Sequence, residues 1–237
     1  MNDIKHNDYS NKTALVTGST SGIGLAIAKS LLDLGCFVFL NYSRSDDSAQ
    51  NVKSDLDVCH KGKFEIIKAD LSSETEVDFL TEFVKGKVDK LDYIILNLGI
   101  TCRGDFSTLT RNDWSRVINT NLSMPFFLLQ NFDGMMGDYG RVVFIGSVLG
   151  IYPHSVSIPY GVTKAAIHFM VQTLVKYFAT RFITVNAIAP GFVDTDWHAL
   201  KSQELRKKIE SKIALKRFAT PSEISALCVS VIENDYI

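Results

Sequence analysis

The sequence predicts an α/β fold, a single domain built on a doubly wound parallel sheet. Three observations lead there. Short, nearly continuous apolar runs alternate six times with longer segments whose apolar residues recur every three or four positions. The runs lack the in–out alternation of half-exposed strands and so read as strands covered on both faces. No internal repeat, low-complexity block or Pro/Gly/Ser-rich linker divides the 237 residues, which are 46% hydrophobic, enough for one sizeable core.

In chain order the predicted strands are TALVTG (13–18), CFVFLN (36–41), FEIIKAD (64–70), LDYIILN (91–97), GRVVFIGS (140–147) and FITVNAIAP (182–190). The predicted helices between them begin with GIGLAIAKSLLDLG, DDSAQNVKSDL and SETEVDFLTEFVKG. TRNDWSRVINTNLSMPFFLLQNF and YGVTKAAIHFMVQTLVKYFA follow, each read as one helix by its apolar periodicity. Strand–helix alternation of this kind means right-handed crossovers and a parallel sheet. Ligands of such sheets sit beyond the carboxyl ends of the strands, where the strand order reverses.

Composition excludes several classes. A net charge of −1 argues against a nucleic-acid partner or an anionic membrane surface. No apolar run reaches the length of a membrane span. The opening MNDIKHNDYSNK lacks an apolar signal region, so residues 1–11 read as a polar tail, residues 12–237 as the domain and the chain as cytoplasmic. Cys36, Cys59, Cys102 and Cys228 are scattered, without CxxC or histidine partners, so free thiols and no metal site are expected.

The first strand runs into TGSTSGIG and then directly into a helix. Glycines there permit a tight turn and let backbone amides and the helix N-terminus meet a pyrophosphate, a Rossmann-like arrangement. We assign Gly18, Ser19, Ser21, Gly22, Ile23 and Gly24 to this cradle. The second strand ends at Asn41, with Ser43 and Arg44 following, and no carboxylate stands where an NAD site needs one. A guanidinium pairs with a 2′-phosphate, which favours NADP(H), although Arg44 also fits a solvated loop charge. Asp70, with Leu71, closes the third strand as an adenine contact or as part of a helix cap.

Tyr160 and Lys164 lie four apart in YGVTK and share one helix face. A bare Tyr–Lys surface pair has this spacing. So does a phenol whose pKa, normally near 10, an adjacent ammonium lowers until it serves as a general acid or base.

TGSTSGIG, NLG (97–99), Asn121, Ser147 and YGVTK stand in the order and spacing of the short-chain dehydrogenase/reductase family, which the chain resembles from about residue 12 onward. Its likeness is greatest to the β-ketoacyl-acyl-carrier-protein reductase branch, through NLGIT, GRVVFIGSVLG and NAIAPGFVDTD. The resemblance implies an NADP(H)-dependent carbonyl reductase of fatty acid biosynthesis, a β-ketoacyl thioester substrate, small or carrier-bound, and a homo-oligomer, dimer or tetramer. It implies Tyr160 as acid or base, Ser147 as the group bonding the substrate oxygen, and Lys164 on the nicotinamide ribose. Asn121 would anchor a water relay, while Asn97, Gly99, Pro190, Gly191, Val193 and Thr195 would contact the cofactor. The charged stretch 197–215 would be a substrate lid or a solvated helix. Other readings are a reductase of a free alcohol, sugar or sterol, and a non-catalytic nucleotide-binding scaffold.

Four features depart from the family pattern. Leu96-Asn97-Leu98-Gly99 replaces Asn-Asn-Ala-Gly. NFDGMMGDYG (131–140) is acidic where carrier-dependent reductases are basic, with Arg181 alone matching such a position. Phe182 stands where the family has a glycine suited to a left-handed turn. The sequence stops at ENDYI, so the family's last strand is expected to be lacking and a sheet edge to be bare.

Overall fold

The computed structural model describes residues 9–153, 157–199 and 201–237. Its strands are β1 (Thr13–Val16), β2 (Phe37–Tyr42), β3 (Phe64–Lys68), β4 (Leu91–Leu96), β5 (Met136–Ile145) and β6 (Thr184–Ile188). The helices are α1 (Gly22–Asp33), α2 (Asp46–Cys59), α3 (Glu74–Lys85), α4 (Arg111–Ile118), α5 (Met124–Asn131), α6 (Ile158–Phe178), α7 (Gln203–Glu210) and α8 (Pro221–Glu233). The strands pair in the order β3-β2-β1-β4-β5-β6, all parallel. The chain moves outward from β1 to β3 and then returns to lay β4 on the other side of β1. That reversal opens a crevice above β1 and β4. β6 is an edge strand among the described residues.

Both faces of the sheet are covered, which is why its strands read as unbroken apolar runs. Leu15, Phe39, Ile94, Val142 and Phe144 pack with Leu80 of α3, Leu128 of α5 and Ile167 of α6. The alternate residues Val16, Val38, Leu40, Ile95 and Val143 pack with Ile27 and Leu31 of α1, Val52 of α2 and Ile224 of α8. All six residues of β4 are buried.

Four expectations are corrected. The segment read as one helix from 110 to 132 is two, α4 and α5, joined by a π-type turn, Asn119–Ser123. β5 begins at Met136, within the glycine-rich segment, because its register on β4 slips between Leu91 and Tyr93, and Tyr139 takes φ 63° there. Tyr9 already belongs to the body: it is buried against Tyr93 and donates to Glu233 at 3.2 Å. The rest of the predicted tail, residues 1–8, lies outside the described residues. α8 was not anticipated. It is started by a capping box at Thr220 and Glu223 and is held to α1 by Ser225 Oγ, which donates to Ala26 O at 3.0 Å.

Phe182 does adopt the left-handed conformation, at φ 55°. Its ring stacks on that of Tyr139, with centroids 5.1 Å apart and planes 9° from parallel. Two side chains with positive φ thus brace each other, which offsets part of the backbone cost.

Candidate active site

A cleft of about 520 Å³ lies above the carboxyl ends of the strands, and turns following β1, β2, β4, β5 and β6 form its walls. At one end stands the glycine turn. Gly18 and Gly22 have φ 59° and 54°, a conformation that side-chain-bearing residues rarely adopt. Asn97 clamps the turn by donating from Nδ2 to the carbonyls of Thr17 and Gly18, both at 3.0 Å. Thr17 Oγ1 accepts from the amides of Asn97 and Leu98 at 3.0 and 3.1 Å. The turn delivers the N-terminus of α1 to the cleft, with Ser21 at the cap position and its hydroxyl not spent on capping. Such a terminus attracts anions.

Gly24 shows how closely this end is packed. A Cβ there would lie 2.4 Å from the Gly18 carbonyl oxygen and 2.6 Å from Asn97 Nδ2. Gly24→Ala is therefore expected to cost about 1–3 kcal/mol of stability and to weaken nucleotide binding. Thermal unfolding and a nucleotide titration check both.

Ser43 and Arg44 follow β2 on the cleft wall, with Arg44 exposed. The nearby acids do not neutralise it. Asp46 is held by Lys68 at 2.7 Å and by the Tyr42 hydroxyl at 2.9 Å, and these two partners keep its carboxyl below the usual range. Asn41 is buried and committed, accepting from Gly18 N and donating to Ala69 O. It braces the turn and is not free for a ribose.

At the other end, Tyr160 and Lys164 rise from the first turns of α6 and face Ser147 just beyond β5. The Ser147 hydroxyl accepts from Leu149 N at 3.2 Å and stands near enough to the Tyr160 phenol to favour its ionised form. Lys164 is 3% exposed; its Nζ donates to Ile145 O at 2.6 Å and stands 5.5 Å from the Tyr160 ring centre. Gly150 lets the turn after β5 lie directly on α6, since a Cβ there would lie 2.6 Å from the Lys164 backbone. Asn121 sits in the π-type turn, fully buried. Its Oδ1 accepts from Ile100 N at 2.7 Å, and its Nδ2 donates to Ile100 O and to Thr163 Oγ1. It ties the segment after β4 to α6.

A family model for the short chain dehydrogenases matches residues 12–206. The chain belongs to that family. It is 35% identical over 216 residues to the 3-oxoacyl-acyl-carrier-protein reductase FabG of Aquifex aeolicus, covering 90% of this chain and 87% of that one. The FabG protein of Staphylococcus epidermidis is 32% identical over 217 residues, covering 91% and 88%. A short chain dehydrogenase from Burkholderia cenocepacia, solved in complex with NADP, superposes with a TM-score of 0.90 at 29% identity, covering 98% of this chain and 95% of that one.

Within this short-chain dehydrogenase, most of the residues singled out in the sequence share the cleft. Gly18, Ser21, Gly22, Ile23, Ser43, Arg44, Asn97 and Gly99 border the end with the glycine turn. Ser147, Tyr160, Lys164, Pro190, Gly191, Val193 and Thr195 border the end with α6. Others stand off the wall. Ser19 is buried, its hydroxyl donating to Val16 O at 2.8 Å. Leu71 is a core residue, and exposed Asp70 accepts from Ser72 N in a local turn. Gly24 and Asn121 position the wall from behind. Leu98 fits because its side chain lies beside Gly18, 3.4 Å from where a Cβ would stand.

The expected lowering of the phenol pKa is corrected for the site by itself. Burial raises Tyr160 above its ordinary value, and the Ser147 hydroxyl opposes this without cancelling it. Lys164 donates to a backbone carbonyl, and its own burial brings it down to about 8. Sequence reasoning also passed over Trp197, whose ring lies 5.8 Å from that of Tyr160. His198 packs between Phe192 and Phe218, and burial with neighbouring cations holds it near 4, hence neutral. In the stretch 197–215, of which Leu200 lies outside the described residues, a short turn ends at His198 and α7 follows, pinned where Arg206 pairs with Asp194 at 2.7 Å.

Among the described residues no helix is long and apolar enough to cross a membrane, and no cluster of His, Cys, Asp and Glu is suited to a metal.

Proposed function

We propose that this short-chain dehydrogenase is an NADP(H)-dependent carbonyl reductase whose substrate is a 3-oxoacyl thioester, giving the 3-hydroxyacyl thioester. The observation that carries the reading is the meeting of Tyr160, Ser147 and a buried Lys164 at the end of a cleft that begins in a glycine turn and a helix N-terminus. The cleft fits the nucleotide: the turn offers backbone amides to a pyrophosphate, and Arg44 offers an unneutralised cation beside the ribose position. The reduced nicotinamide, when bound, supplies hydride to the carbonyl carbon. Ser147 hydrogen-bonds the carbonyl oxygen and steadies its growing negative charge. Tyr160 gives that oxygen its hydroxyl proton and afterwards recovers one from solvent. Burial keeps the phenol protonated at neutral pH, the state reduction requires. Lys164 keeps a cation within reach of the phenolate left behind.

The FabG relatives support the thioester substrate class. One observation favours a second reading, a carrier-free ketone. Arg181, the basic position expected to meet an acidic carrier, is bound to the side chain and carbonyl of Asp133 and lies over Phe178. The test follows loss of NADPH absorbance with a 3-oxoacyl group on an acyl carrier, the same group on a small thiol, and a free ketone. Preference for the thioesters upholds the first reading, preference for the ketone the second, and no turnover overturns both.

Arg44 carries the cofactor choice. Arg44→Ala is expected to raise KM for NADPH about 10- to 100-fold, the worth of one charge-assisted contact, and to leave NADH almost unchanged. Equal effects on the two cofactors would reject the assignment.

A further inference from the structure

His168 occurs in none of the motifs above, yet it stands against the reacting end of the cleft. It lies one helical turn beyond Lys164 and two beyond Tyr160, so the three share a stripe of α6. Its ring fills the space left by Gly146, where a Cβ would lie 2.3 Å from Nε2 and 2.8 Å from Cδ2. Nε2 accepts a hydrogen bond from the backbone amide of Ser147 at 3.4 Å. Lys164 meanwhile donates to Ile145 O, on the other side of the same glycine. Gly146 N donates to Ile188 O at 2.7 Å, and Val148 N to Pro190 O at 3.0 Å. Successive groups of the strand end are thus gripped alternately by α6 and by the β6 segment.

We propose that His168 is a positioning residue for the reduction: its neutral ring holds the Ser147 backbone, and protonation of the ring releases it. The inference rests on the carbonyl-reductase reading. Accepting through Nε2 requires its lone pair, which places the ring proton on Nδ1. A second proton would set an N–H against the Ser147 N–H and bring a cation towards Lys164. Burial and the Lys164 charge both hold His168 below the ordinary histidine value, so the ring is neutral at pH 7. The strand end that it faces presents Gly146, Ser147 and the Ile188 carbonyl, none of them charged.

Two variants separate holding from bulk. His168→Gln places an amide oxygen near the Nε2 position and does not titrate, whereas His168→Leu fills space and accepts nothing. His168→Leu is expected to lower kcat about 10- to 100-fold, as a small misplacement of a reacting group does, with NADPH affinity and KM nearly unchanged. His168→Gln recovers most of that loss. Wild-type kcat falls on the acid side with an apparent pKa below 6.5, and that fall is missing in His168→Gln. Equal activity of His168→Leu and wild type, or equal damage in both variants, overturns the proposal. Nitrogen NMR of His168 in the wild-type protein reads the contact without turnover. A bare, hydrogen-bonded Nε2 at pH 7 supports it and a protonated Nε2 refutes it, even if no ketone is reduced and the functional reading itself fails.

Discussion

Tyr160→Phe is expected to lower kcat for carbonyl reduction by about 10²- to 10⁴-fold, the usual worth of a placed general acid, while NADPH still binds. The change is small in shape. The phenylalanine ring keeps the packing against Trp197 and the half-buried position beneath it. What disappears is the hydroxyl that meets Ser147. Thermal stability should move little, because one polar contact and the burial of one polar group are lost together. The pH dependence sharpens the test. Burial raises the phenol above its ordinary value, so the proton-donating form is abundant at neutral pH. Reduction should be level through neutrality and fall on the alkaline side as that proton is lost. Oxidation of the hydroxy product needs phenolate and should rise over the same range. Both limbs should vanish in Tyr160→Phe. A variant with wild-type kcat would remove Tyr160 from the chemistry, and one that no longer binds NADPH would show the hydroxyl supporting the cleft instead.

The fold was legible because its strands are buried on both sides. β4 has six buried residues, and its one charged side chain, Asp92, is buried with them and paired with Lys12 and Lys90. The glycine turn after β1 was legible because glycine is used where only glycine fits, as at Gly24 under the Gly18 carbonyl. What sequence could not display are contacts made across the fold. Asn41 looked like the polar end of a strand; its role comes from the distance to Gly18 and Ala69, which depends on how three strands align. The π-type turn carrying Asn121 leaves no mark on apolar spacing, so two helices read as one. α8 had a signal in Thr220-Pro221-Ser222-Glu223, but the β-branched run that follows blurs helical periodicity. His168 was hidden in plain view: its spacing from Lys164 was available, but that Gly146 leaves room for a ring emerges only when β5 meets α6.

The expected electrostatics failed for an instructive reason. Four-residue spacing puts a cation beside a phenol, and in water that would ease the loss of the phenolic proton. Here both groups are desolvated, and desolvation favours the neutral form of each: the phenol is pushed up and the amine down. The pair is therefore poised by burial. The Ser147 hydroxyl acts on the phenol in the opposite sense, which makes the seating of that residue matter to the proton affinity of Tyr160.

Lys164→Met should stabilise the protein while disabling it, and the two opposite signs make it the more telling substitution. The side chain is almost wholly buried, and the hydrogen bond to Ile145 O is a modest return for an ammonium taken from water. Its fall from 10.5 to about 8 corresponds to about 3 kcal/mol of burial cost, at about 1.4 kcal/mol for each tenfold change. Methionine has similar length and no charge. Losing the hydrogen bond to Ile145 takes back about 0.5–1.5 kcal/mol, leaving a net gain of about 1.5–2.5 kcal/mol. Activity should fall about 10²- to 10³-fold, as when one preorganised electrostatic partner is removed. The sign of the pH effect follows from linkage. Below about 8 the lysine is protonated in both folded and unfolded chains, and the full burial cost is present. Between about 8 and 10.5 the unfolded chain binds more protons, so this group makes unfolding free energy climb with pH by up to about 1.4 kcal/mol per pH unit. Denaturant unfolding across that range should show the contribution in the wild type and not in Lys164→Met. A variant that is both inactive and less stable would mean that the ammonium holds the strand end together, and that the β5–α6 junction depends on its charge.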